Sequence, residues 1–216
     1  MKCILCGSNT NELLDKQFNQ TYYSCHNCQL TFTDKSDLLS DEGELVQYSR
    51  HENSIDNHGY VQMFEDYLDY VLPTDFKGKG LDYGSGPEPV LSILLGRRGI
   101  DCDIYDPYYA KEEPFNMKYD LITSTEVFEH FYDPKLEIER IVKMLNPDGY
   151  LAVMTLFLNE EIDFQKWWYR RDPTHVTFYK VKTFEYLADK YNMKIQKINN
   201  KNIILLKKVQ HTNEKI

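Results

Sequence analysis

The sequence predicts an α/β fold, a doubly wound, Rossmann-like sheet behind a small N-terminal zinc ribbon, and three observations carry that reading. Two Cys-x-x-Cys pairs, Cys3/Cys6 and Cys25/Cys28, stand 18 residues apart at the start of the chain. A glycine-rich turn, Asp82-Tyr83-Gly84-Ser85-Gly86, ends an apolar strand pattern and runs through Pro87 into an apolar helix pattern. From there runs of strand and helix length alternate as far as residue 208. The 216 residues hold one full α/β domain and an appendage. The expected division is a ribbon over 1–38, a linker or lid with a first helix over 39–73, the sheet domain over 74–209, and a polar tail over 210–216.

Charge and composition narrow the partners. A net charge of −9 argues against broad affinity for nucleic acid or anionic membrane, which relies on clustered Lys and Arg. No apolar run reaches the length of a membrane span, and Met1-Lys2-Cys3 leads into a cysteine motif rather than a signal peptide, so a cytoplasmic protein without a membrane partner is expected. In that setting paired cysteines favour metal over disulfides, and the fifth, Cys102, reads as a small buried hydrophobe in a strand.

Taken in order, the ribbon comes first. Each knuckle is a tight turn, and two hairpins bring Cys3, Cys6, Cys25 and Cys28 into a tetrahedron of thiolates around zinc. His26 lies inside the second knuckle, where the turn points it outward. So short a segment buries too little apolar surface to fold alone, and the metal supplies most of its folding free energy. Lys2, Lys16 and Lys35 are balanced by Glu12, Asp15, Asp34 and Asp37, which favours a docking or substrate-shaping cap over a nucleic-acid surface. Residues 40–58, with Tyr48, Arg50, His51 and Asn53, form a polar candidate lid. A helix over about 60–72 places Met63, Phe64, Tyr67, Leu68 and Val71 on one core-facing stripe. Strands follow near 79–83, 102–106, 119–124 and 149–156, with helices near 88–97 and 134–145. Asp133-Pro134 opens the second of these helices, and Asn146-Pro147-Asp148-Gly149 is the turn that closes it. A helix near 181–191 and strands at 193–198 and 202–208 complete the pattern.

The glycine turn is a nucleotide-type cradle, with Gly84 and Gly86 letting the backbone approach a ligand. Asp106 closes the next strand about 20 residues on, where this kind of sheet holds the two ribose hydroxyls of its ligand. Asp82-Tyr83-Gly84-Ser85-Gly86, Asp106, the stretch Tyr119 to His130 and Asn146-Pro147-Asp148-Gly149-Tyr150 together resemble class I S-adenosylmethionine (SAM) dependent methyltransferases over about residues 60–208. They are most similar to ubiquinone-pathway O-methyltransferases, which share Glu-x-x-Glu-His followed by Asp-Pro. The resemblance implies a mostly parallel sheet with an antiparallel last strand, and a SAM site at Asp82, Gly84, Ser85, Gly86, Asp106 and Glu126. It also implies a magnesium ion at Glu126, Glu129 and His130. Glu88 stands where the family commonly has a third glycine. An acid there either crowds the methionine carboxylate of SAM or serves as a first-turn helix acid.

Methyl transfer from a sulfonium needs an acceptor held in line with the methyl group, and a base where the acceptor must lose a proton. The crevice of this fold lies outside the carboxyl ends of the strands, with Glu126-Val127-Phe128-Glu129-His130 at its edge. As a helical turn that stretch puts Glu126, Glu129 and His130 on one face, able to hold a divalent ion or to orient the imidazole. The loop Trp167–His175 offers aromatic rings with Arg170 and Arg171 for a planar, anionic acceptor. The candidate bases are His130 and His175. Three readings stand at this point: a methyltransferase acting on a small molecule, an RNA-modifying methyltransferase using the ribbon for RNA contact, and a SAM-binding module without catalysis, the last motivated by Glu88.

Overall fold

The first of two sheets grows out of the cysteine knuckles. In the computed structural model, which describes residues 1–48 and 54–210, β1 (Thr10–Asp15) and β2 (Gln20–Cys25) form a hairpin, and β3 (Thr31–Thr33) adds antiparallel to β2. Then come α1 (Asp41–Tyr48) and α2 (His58–Val71). The candidate lid is therefore partly a helix, and its Arg50, His51 and Asn53 lie outside the described residues, as does the tail beyond Gln210. Asn57 caps α2 by accepting from the Tyr60 N–H at 3.2 Å. Its Phe64, Tyr67, Leu68 and Val71 are buried, whereas Met63 is turned outward.

The second sheet is built from β4 (Gly80–Tyr83), α3 (Val90–Arg97), β5 (Cys102–Tyr105), β6 (Tyr119–Thr125), α4 (Pro134–Met144) and β7 (Leu145–Met154). A two-residue strand, β8 (Thr177–Phe178), precedes α5 (Val181–Lys190), β9 (Met193–Ile198) and β10 (Ile203–Lys208). The order is β5-β4-β6-β7-β10-β9, parallel from β5 to β7, with β10 antiparallel to both its neighbours. Alternation along the strands sorts side chains to two faces. Leu81, Ile122, Val153, Ile204 and Leu206 pack with α4, α5 and the ribbon's Leu5, Leu30 and Phe32; Leu121, Ala152, Met154 and Leu205 pack with α2 and α3.

As the sequence reading had it, no helix or strand occupies 107–118, and the connection from β5 to β6 is a loop. Two details depart from that reading. β7 begins at Leu145 and takes in the Asn146–Gly149 turn, because a register shift between Tyr119 and Leu121 lets the strand bulge there, with Asp148 at φ +61°. The ribbon sheet also has a fourth strand: β8 pairs with β3 through Thr31–Phe178 and Phe32–Thr177. No helix among the described residues is long and apolar enough to cross a membrane.

Candidate functional site

β4 lies between β5 and β6, and the chain leaves its carboxyl end through the glycine turn. Gly84 sits at φ +86°, and a Cβ there would stand 2.3 Å from Cγ2 of Val127, so both conformation and space demand glycine. The Gly84 and Ser85 N–H groups donate to the Tyr105 carbonyl at 2.7 and 3.1 Å. Asp106 ties the cradle from the other side. One carboxylate oxygen accepts from the Gly86 N–H at 3.0 Å, and the other accepts from Tyr108 and Tyr109 at 2.8 and 3.0 Å. Asp82 is buried at the floor beside Thr123, and burial pushes its carboxyl up to about 7.

These groups line a cavity of about 1150 Å³, shared with Tyr60, Met63 and Phe64 of α2. Single-ligand pockets run to roughly 1,000 Å³, so it has room for a cofactor and an acceptor side by side. Glu88 is not among its walls; its carboxylate accepts the Ile55 N–H at 3.2 Å instead.

At the other end of the cavity the expected helical face is absent. Glu126 has φ +53° and precedes a short 3₁₀ turn, Phe128–His130, so Glu126, Glu129 and His130 do not share one face. Instead the loop after β7 brings His175 against His130, with ring centroids 4.9 Å apart. The His130 Nδ1–H donates to the Thr174 carbonyl at 2.9 Å, and the His175 Nδ1–H to the Tyr169 carbonyl at 2.7 Å. Burial holds the His175 imidazole below its ordinary value. Tyr169, expected from the sequence as one of the loop's rings for a planar acceptor, is the link between the two acids. Its hydroxyl donates to Glu129 and lies 3.4 Å from Glu126. Burial, reinforced by the charge of Glu129, pushes the Glu126 carboxyl up to about 9. Magnesium does not fit this arrangement, because it wants several oxygens in near-octahedral geometry and the groups that converge are two imidazoles and one carboxylate.

The two arginines of the loop separate. Arg170 is 2 % exposed and committed to Asp15 of the ribbon and to the Phe164 and Gln165 carbonyls, so it is unavailable to an anionic acceptor. Arg171 faces the cavity, as does Trp168, which is 63 % exposed, while Trp167 is buried in an aromatic cluster. α1, part of the stretch expected to form a lid, adds a wall: Glu44 accepts from the Tyr108 hydroxyl at 2.5 Å, and Tyr48 packs edge-on against His130.

In the ribbon, the Cys3 and Cys28 sulfurs are 3.6 Å apart and those of Cys6 and Cys25 3.4 Å, all four lying within 4.8 Å of one another. A zinc tetrahedron with bonds near 2.3 Å has edges of about 3.8 Å, so the four sulfurs fit the ion. His26 is exposed and outside the cluster.

A family model described as a methyltransferase domain matches residues 55–198. A curated relative, the ubiquinone biosynthesis O-methyltransferase of Pectobacterium atrosepticum, is 27 % identical over 81 residues, 37 % of this chain and 34 % of that protein. The chain thus spans about a third of the length of that relative. Among solved structures, an O-methyltransferase family protein from Burkholderia thailandensis superposes with a TM-score of 0.53 at 9 % identity, over 70 % of this chain and 57 % of that one. A possible histamine N-methyltransferase from Thermotoga maritima gives 0.51 at 14 % identity, over 76 % and 99 %. At such identities these two likenesses speak to the fold alone.

Proposed function

The chain belongs to the methyltransferase-domain family, and on that premise we propose that it transfers the methyl group of SAM to a small-molecule acceptor. The observation that carries the proposal is the cradle at Gly84–Gly86, tied to Asp106, opening into a cavity with room for two molecules. In this reading the methionine end lies over the cradle, with Asp82 beneath its ammonium, and the ribose hydroxyls meet Asp106. The cavity's remaining walls, Trp168, Tyr169, Arg171 and the paired histidines, form the acceptor side. Most of the rate enhancement then comes from holding the acceptor atom in line with the methyl group. His130 and His175 are the groups able to take a proton from it. Zinc in the Cys3, Cys6, Cys25 and Cys28 cluster would be structural, holding the ribbon against the acceptor loop. Purified protein supplied with methyl-labelled SAM and cell extract tests the proposal. Label is expected in the small-molecule fraction; label confined to RNA, or no transfer, would contradict it.

Asp82 supplies a pH signature. An acid raised above its ordinary value binds its proton more tightly in the folded than in the unfolded state. The contribution of this group to the stability of the ligand-free protein therefore falls as pH rises from about 4 to about 7. An ammonium placed on the carboxylate offsets that loss. SAM affinity is expected to strengthen between about pH 5.5 and 7.5, and Asp82→Asn to flatten the profile while weakening binding. Titration calorimetry across that range checks it; a wild-type profile as flat as the variant's would remove Asp82 from the site.

A further inference from the structure

Glu129 is fully buried, at 0 % exposure. One of its oxygens takes the Tyr169 hydroxyl, and the other, Oε2, has no hydrogen-bond partner among the described residues. A buried carboxylate oxygen left so is costly unless a cation, or the proton of the neighbouring Glu126 carboxyl, meets it. Beside it stand two imidazoles, and an oxygen of Glu129 and a nitrogen of each ring lie within 4.8 Å of one another. The tautomers follow from the backbone, since a carbonyl only accepts. With Nδ1–H donated to Thr174 and Tyr169 carbonyls, each neutral ring carries its lone pair on Nε2. Imidazoles that ligate metals are commonly oriented in this way.

From these contacts we infer that Glu129, His130 and His175 form a second metal site, for a divalent transition ion of the zinc or cobalt class and not for magnesium. Neutral imidazole suits such ions, whereas magnesium prefers oxygen throughout. The set differs from the magnesium set the resemblance implies: Glu126 drops out and His175 enters. A tetrahedral ion with ligands near 2.0 Å needs donors about 3.3 Å apart, so the three groups, within 4.8 Å of one another, must close on the ion as it binds. Three protein ligands leave a coordination position open, and His130 and His175 both line the cavity, so solvent or an oxygen of a bound molecule can complete it; with the ion in place both Nε2 lone pairs are occupied, and the rings act as proton acceptors in the metal-free site alone. The inference does not depend on methyl transfer: a protein that never methylates can still hold the ion.

The test is metal content and titration of the full chain with its ribbon loaded. Zinc or cobalt is expected to bind at two equivalents per chain, with magnesium in large excess displacing neither. His175→Gln and Glu129→Gln should each lose the second equivalent at concentrations that saturate wild type, while keeping the ribbon's. One equivalent in wild type, a second that survives in both variants, or a second displaced by magnesium would each overturn the site. Because Glu129 is buried and its variant can misfold, nitrogen-15 resonances of wild-type histidines give an independent reading. The Nε2 signals of His130 and His175 should both shift on zinc addition, and the absence of a shift in both would equally overturn it.

Discussion

On the proposed zinc site, removing the ion from the ribbon, or replacing Cys25 with Ser, is expected to unfold residues 1–33 and to release the proposed acceptor loop with them. A structural zinc of this kind contributes on the order of 10 kcal/mol to folding, as much as the whole stability of a typical domain. The loop loosens because, among the described residues, β8 pairs as a strand with β3 alone, the Thr33 N–H donates to the Val176 carbonyl at 2.9 Å, and Arg170 has Asp15 as its buried counter-charge, which leaves the bonds of Val176 and Thr177 to the Glu129 and Phe128 carbonyls to hold it. Stripping the partner from a buried ion pair costs about 3–5 kcal/mol. Hydrogen exchange reads the outcome directly. Protection should vanish over 20–33 and fall over 167–178 while Gly80–Tyr83 and Tyr119–Thr125 stay protected. A loop that kept its protection after metal loss would show that the ribbon does not hold it.

Replacing either histidine of the cavity with Gln is expected to lower turnover by about 100-fold while leaving SAM affinity nearly unchanged. Each ring is fixed by its own carbonyl, and the rings touch, so the pair works as one unit. The double variant should therefore be no slower than the slower single one, as with other groups that act together. Single-turnover kinetics on all three variants, once an acceptor is known, decide it. Wild-type turnover in both single variants would leave the reaction to positioning alone.

The cysteine knuckles, the glycine turn and the order of strands and helices were legible because their signals are local: fixed cysteine spacing, turn residues and apolar periods. What was not legible is made by distance in sequence. β8 is two residues long and has no period to read, yet it joins the ribbon sheet. Arg170 looked like an acceptor ligand because its partner, Asp15, stands 155 residues earlier. The Glu126–His130 stretch looked like one helical face because nothing in the sequence signals a positive φ at a glutamate. His175 and Tyr169 reach His130 and Glu129 only through the path of the loop after β7. α1 was hidden by its polarity, since Glu44 is its single buried residue and is held there by Tyr108.

The account stands on the cradle, and titration calorimetry with SAM on wild type and Asp106→Ala tests it most directly. Saturable binding is expected in wild type. The variant should bind more weakly by about 1–3 kcal/mol, the usual cost of losing hydrogen bonds to an ionised group. Circular dichroism should show its sheet intact. A folded wild-type protein that gives no binding heat, or an Asp106→Ala variant with unchanged affinity, would contradict the central claim.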